Sequence, residues 1–449
     1  MGRRSNLYTK NSPVAVGVCC ILLTAAAPVF PQSASGSDQK ATATVLYAFR
    51  GQTDGESPSG ALIADASGSL YGETSSGGGV ISCNDTCGTV FKLTKHRSRS
   101  GPTYSESILY SFRGGTDGSG PIGGLVSDAS GTLFGVTTGG GSGARGSVFE
   151  LVPGKSGYAH HIIYSFAGGG DGATPGAGLV IDTSGALYGT TLLGGGTPCD
   201  SGAGCGTIFK LTPRKHGYRK TTIHRFQLNG RDGFWPEAPL IVDSTGALYG
   251  TTIKGGTTTR CSTAGCGTVF MFTPHRSGYV ESILYSFQGR PDGASPAAGL
   301  FLENGAFYGT TAYGGSGTAC GTENFQGCGT AFRLASAGSG YVKSVLYNFQ
   351  ADLDGELPEA ALIPGRDGSL IGTTFWGGCG GTGDECGIAF RLAPRQAGYT
   401  EHILHVFTRD AGDGGEPAGA LLRVGDAFYG STVLGGQPCS CGTVYKLLP

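Results

Sequence analysis

Outside its N-terminal stretch the chain carries its cysteines as six close pairs. They are Cys83/Cys87, Cys199/Cys205, Cys261/Cys266, Cys320/Cys328, Cys379/Cys386 and Cys439/Cys441. Each pair lies in a Gly-rich stretch just ahead of a run resembling GTVFKL. Pairs this close read as disulfides that staple long loops and restrict the unfolded chain. A zinc site needs four converging ligands, and each pair belongs to its own loop, so no metal is expected there. Cys439 and Cys441 are separated by Ser440 alone, and whether they bridge stays open at this point.

The second set is acidic. Asp-Gly recurs at Asp54, Asp117, Asp171, Asp232, Asp292, Asp354 and Asp413. A ring of carboxylates at a channel mouth would suit a cation or a polyhydroxyl ligand. Sevenfold repetition favours turn chemistry instead, with each carboxylate folded onto local amides. Ligand binding is then expected where copies depart from the repeat. The fourth copy has Asp232, Phe234, Trp235 and Glu237, and the sixth has Asp354, Glu356 and Trp376. Aromatics beside carboxylates suit stacking on a sugar face or anchoring a partner protein. Asp232 with Glu237, or Asp354 with Glu356, would be the carboxylate pairs for glycosyl chemistry, and their separation would decide the mechanism. Asp352, Asp354 and Glu356 alternate as oxygen ligands for Ca²⁺, although far from a full EF-hand loop. No other cofactor or metal is expected, and no residue is assigned a catalytic role. All eight His lie on hairpins and outer strands, which disfavours a His-assisted nucleophile at the channel mouth.

A repeated phrase positions these residues, and its tidiest copy runs from Tyr158 to Pro213. It ends its first run at Phe166, passes Asp171-Gly172 and Pro175, and closes on the run that begins at Gly206. The same Phe recurs at Phe49, Phe112, Phe226, Phe287, Phe349 and Phe407, making seven copies of about 60 residues. Each copy holds four short runs of β-formers bounded by Gly, Pro, Asp and Ser, which read as strands. Asp-x-Ser/Thr-Gly at Asp65, Asp128, Asp182 and Asp243 reads as a tight hairpin turn. Four antiparallel strands per copy, seven times over, predict an all-β, seven-bladed β-propeller. The strand at 43–49 is expected to complete the last blade and close the ring, which removes exposed edges.

The N-terminus reads as a secretory signal peptide over 1–35: basic Arg3, Arg4 and Lys10, then an apolar run from Val14 to Phe30. A short linker follows at 36–42, and the propeller takes 43–449. Fourteen Cys and the signal predict a secreted protein, extracellular or periplasmic. No transmembrane span is expected after signal removal. A net charge of −1 gives no field for nucleic acid. The short basic turns around Arg97 and Lys215 read as a solvated face.

The phrase LYSF-x-GG-x-DG-x-x-P-x-AGL-x-x-D-x-x-G-x-LYGTT…GTVFKLTP closely resembles the GloVer tandem repeat of choice-of-anchor bacterial proteins. The resemblance spans 43–449. It implies an exported or surface-associated bacterial repeat protein and brings no catalytic residues with it. The GLVID-TSG-ALYGTT pair is also similar to the inner strands of NHL-type propeller repeats. That similarity implies that GLVID is innermost, ALYGTT second, GTIFKL third and the LYSF run outermost. The expected activity is non-catalytic: a monomeric scaffold that binds a ligand, glycan or protein on the face carrying the Asp-Gly and Cys loops. A carbohydrate-active enzyme or lectin, and a structural surface or matrix component, are the alternatives.

Overall fold

The computed structural model describes residues 42–448, apart from 52, 80–86, 100, 197–198, 200–201, 262–263, 319, 321–325, 380–385, 397 and 411. The expected signal peptide lies outside the described residues, as does Cys83. Among the described residues, regular structure is β-strand with a few 3-10 turns. No helix among them is long and apolar enough to cross a membrane.

The fold is a propeller-like arrangement of antiparallel sheets. Five four-stranded sheets stand apart. One of them runs Val180–Ile181, Leu187–Thr191, Thr207–Pro213, Tyr218–Arg225 from edge to edge, the expected order. Residues in or just ahead of the first strands of all seven repeats line one common pocket, so this edge faces inward. In the last sheet the order is Thr42–Ala48, Thr443–Leu448, Ala427–Gly435, Gly414–Val424. The first strand of the chain thus pairs antiparallel with the last, from Thr42–Leu448 to Ala48–Thr443.

The expectation of a separate sheet for every repeat fails between Glu56 and Ser165, where one eight-stranded sheet forms. It consists of two four-stranded arrays joined by a single parallel bridge, Ala61 to Gly124. Glycine is the cause. A Cβ on Gly60 would lie 2.2 Å from the Gly124 nitrogen, so only bare backbone allows this approach. Glu73 reinforces the joint, its carboxylate accepting the Gly124 N–H at 3.0 Å.

The core repeats as the sequence does. Phe49, Phe112, Phe166, Phe226, Phe287, Phe349 and Phe407 are completely buried. Each meets an aromatic ring of the third strand, edge-on in all but Phe226, as Phe166 meets Phe209 at 5.1 Å and Phe407 meets Tyr445 at 4.9 Å. Burial of each such ring contributes roughly 1.5–3 kcal/mol. The hairpin turns form as expected: Asp182 Oδ1 accepts the Ser184 and Ala186 N–H groups and the Ser184 hydroxyl. Beneath the Asp-Gly loop, Thr191 and Thr207 share a buried hydroxyl contact at 2.9 Å. The glycine of Asp-Gly rests on this pair, and a Cβ on Gly172 would come within 2.6 Å of Thr191 Oγ1.

A proline lock joins each repeat to the next. The residue before the repeat proline donates its N–H to a carbonyl of the preceding repeat: Gly120 to Cys87, Thr174 to Arg145, Trp235 to Cys205, Ser295 to Cys266, Leu357 to Cys328, Glu416 to Cys386. The same bond runs from Ser57 to Cys441, between opposite ends of the chain, at 2.9 Å. Ser57, Thr174, Trp235, Ser295, Leu357 and Glu416 all take positive φ here, between 53° and 60°. This conformation is costly for a side-chain-bearing residue and persists where surroundings hold it. In most repeats the accepting carbonyl belongs to the second cysteine of a pair. Among the described residues five pairs are joined: Cys199–Cys205, Cys261–Cys266, Cys320–Cys328, Cys379–Cys386 and Cys439–Cys441. The bridge that the sequence left open, across Ser440, is formed.

Candidate functional site

The seven Asp-Gly carboxylates turn toward the outer strand. Asp117, Asp171 and Asp292 accept from Tyr110, Tyr164 and Tyr285 at 2.6, 2.6 and 2.9 Å. Asp54 and Asp354 do the same with Tyr47 and Tyr347, each at 2.5 Å. In the fourth and last loops histidine replaces the tyrosine, and His224 meets Asp232 at 3.0 Å and His405 meets Asp413 at 3.1 Å. Each carboxylate also takes a backbone N–H just past the repeat Phe, as Asp171 takes that of Ala167. Each carboxylate is thus tied down by its own loop and outer strand.

In six of the seven copies the neighbouring outer strand supplies a further partner, six positions before its Phe. Lys220 reaches Asp171 at 2.6 Å and Lys343 reaches Asp292 at 2.8 Å. His160 approaches Asp117 at 3.4 Å. In three copies the position holds an acid, pairing Glu106 with Asp54, Glu281 with Asp232 and Glu401 with Asp354. Burial, then the facing Asp, pushes these glutamates up to about 7, about 8 and about 10.

One pocket of about 280 Å³, the axial pocket, draws its lining from all seven repeats. Every repeat contributes the residue after its proline: Ser59, Ile122, Gly176, Glu237, Ala297, Glu359 and Ala418. Five of these are small or apolar, and two are glutamates. Both side chains are exposed to solvent in the pocket, yet protein packed closely around them still limits their hydration. Burial raises the pKa of Glu237. Burial and the Glu237 charge push Glu359 up to about 7. Phe375 lines the same pocket. The Tyr313 hydroxyl is near enough that Glu359 and Glu356 add to the rise that burial gives it.

The other expected site residues are placed differently. Phe234 is completely buried in the core and offers no face to a ligand. Trp235 is half-buried, donates its indole N–H to the Gly204 carbonyl at 3.3 Å, and carries Lys254 over its ring at 4.3 Å. Trp376 donates toward Glu416 at 3.4 Å and pairs its backbone with Glu356, which is itself buried. Both Trp therefore brace adjacent loops. Of the expected carboxylate pairs, Asp232, Glu237 and Asp354 each act on a partner from another repeat. Glu237 meets Glu359, Asp232 meets Glu281 and Asp354 meets Glu401. Asp354 is engaged by Tyr347 and the Gln350 N–H, and the side chain of Asp352 lies outside the described residues. The two missed columns were present in the sequence, one after each proline and one six residues before each Phe.

A propeller of repeated antiparallel sheets with an axial pocket defines the class. The chain belongs to the Gloeobacter/Verrucomicrobia repeat family, whose model matches residues 34–202 and 196–322. No curated protein matches it. Among solved structures, a putative 6-phosphogluconolactonase from Bacteroides uniformis matches at TM-score 0.48 and 12% identity, over 82% of this chain and 99% of that one. A Trichoderma reesei carbohydrate-active enzyme of family AA12 matches at TM-score 0.45 and 12% identity, over 91% and 96%. A putative glucose dehydrogenase from Thermus thermophilus matches at TM-score 0.41 and 14% identity, over 91% and 100%. Likenesses this distant carry no argument about activity.

Proposed function

We propose that this protein is an exported, seven-bladed propeller that binds a small polyhydroxyl ligand, of the glycan class, in its axial pocket without turning it over. One observation carries the reading. Of the seven residues that follow the repeat proline, only Glu237 and Glu359 are ionisable, and both line the same pocket beside Phe375. Carboxylates accept paired sugar hydroxyls, and an aromatic face stacks on the sugar's C–H face. Seven blades follow if the two halves of the eight-stranded sheet count separately. Ring closure is supported by the pairing of Thr42–Ala48 with Thr443–Leu448 and by the Ser57–Cys441 bond. Export is supported by the N-terminal signal pattern and five cysteine pairs. The test is a glycan array followed by calorimetry on wild type, E237Q/E359Q and F375A. The double variant should lose at least tenfold in affinity. Wild type that binds no glycan, or a double variant that binds as well as wild type, would overturn the proposal.

One observation favours a second reading. A carboxyl raised to about 7 beside a second carboxylate is the arrangement of a general acid and its partner in glycoside hydrolysis. Turnover of aryl glycosides that disappears in E359Q would establish that reading over simple binding.

A further inference from the structure

We propose that His224, Asp232 and Glu281 form a binding site for one first-row divalent metal ion, at the rim between two outer strands and separate from the axial pocket. The three ligand atoms lie within 4.8 Å of one another. His224 Nε2 is 3.0 Å from Asp232 Oδ2 and 3.9 Å from Glu281 Oε1. The set of one imidazole and two carboxylates suits zinc, cobalt, nickel or manganese, with water completing the coordination.

Two further observations point to a cation here. Asp232 is 4% exposed, and its Oδ1 and Glu281 Oε1 are buried with no hydrogen-bond donor among the described residues. A buried carboxylate oxygen left without a donor is costly, and a bound cation removes that cost. The repeat also shows what fills this position elsewhere. In two other copies a lysine ammonium sits against the equivalent Asp, Lys220 on Asp171 and Lys343 on Asp292. The fourth loop has lost that ammonium to Glu281 and exchanged the usual tyrosine for His224. The anionic Asp remains, and its two new neighbours are both metal ligands. The sixth loop provides the contrast: Glu401 faces Asp354, but Tyr347 is retained, so no imidazole is present. Side-chain exposures of 20% for His224 and 25% for Glu281 leave the site open to solvent at the rim.

The competing account is a proton shared between Asp232 and Glu281. Titration of the metal-free full chain with Zn²⁺ by calorimetry, and with Co²⁺ followed by visible absorption, separates the two. Wild type should bind one equivalent, with a rise in Tm. E281Q should weaken binding at least tenfold. H224Y/E281K rebuilds the Tyr285–Asp292–Lys343 arrangement, so it should fold, bind no metal at this site and lose the metal-dependent Tm rise. Wild type that binds neither ion, or H224Y/E281K that keeps the wild-type stoichiometry, would overturn the assignment in favour of the shared proton. E359Q should leave the metal titration unchanged, which distinguishes this site from the axial pocket.

Discussion

Glu237 and Glu359 each follow a repeat proline, one in the fourth copy and one in the sixth, and both open into the axial pocket. Dense protein around the pocket raises both, and the charge of Glu237 raises Glu359 further, to about 7. The pocket thereby brings two raised carboxyls under one another's influence.

Replacing Glu237 by Gln should lower the pKa of Glu359, because the like charge is gone. Carbon-detected NMR titration of the glutamate carboxyls measures it. An unchanged Glu359 would mean that burial alone sets its value.

Glu359 also links stability to pH. Its folded pKa lies above its unfolded value, so the folded state holds the proton more tightly. That contribution is fully present below the unfolded value and is lost as pH rises through about 7. Relative to wild type, E359Q should therefore gain stability between pH 5 and pH 8. Urea unfolding at both pH values gives the comparison.

The outer-strand column predicts a stabilising exchange. Glu401 faces Asp354 as Lys343 faces Asp292, and it is pushed up to about 10. Glu401→Lys should install an ion pair and raise stability by about 1–3 kcal/mol. Lys343→Ala does the reverse. With its side chain only 1% exposed, it should lose about 3–5 kcal/mol by leaving Asp292 without its cation. Chemical denaturation at pH 8 gives both differences.

Gly60→Ala should separate the first two repeats. The new methyl would meet the backbone of Gly123 and Gly124, which cannot step aside as a side chain can. The expected cost is about 1–3 kcal/mol or more. Hydrogen exchange should show faster opening at Ala61 and Gly124.

Reduction should weaken the loops without dissolving the sheets. Four of the bridges close loops with separations of 5 to 8 residues. Each constrains the unfolded chain by about 2 kcal/mol. Peptide mapping of unreduced protein should recover the local pairs, and a reductant should lower Tm.

Much of the fold was legible because each repeat states its own local chemistry. The Phe that closes each outer run and the Asp-x-Ser/Thr-Gly turns were readable from short-range pattern, and the strand order followed from the similarity to NHL-type repeats. The period of the strands and the positions of Gly and Asp constrain the backbone over a few residues. The joining of the first two repeats into one sheet was not readable, since it depends on glycines about 60 residues apart meeting face to face.

The sequence by itself determined a repeated all-β chain, its turns, and the pairing of cysteines within loops. Only the tertiary structure decided which carboxylates meet. Sequence neighbours suggested Asp232 with Glu237 and Asp354 with Glu356. The fold sends the two ends of one short loop to opposite places, the Asp outward to the next outer strand and the residue after Pro, five positions on, inward to the axis. The partners therefore come from other repeats: Glu281 and Glu401 at the rim, Glu359 in the pocket. The same geometry removed Phe234 to the core and set both Trp to bracing loops. Side-chain direction relative to a common axis is a property of the assembled sheets, and no local stretch of sequence carries it.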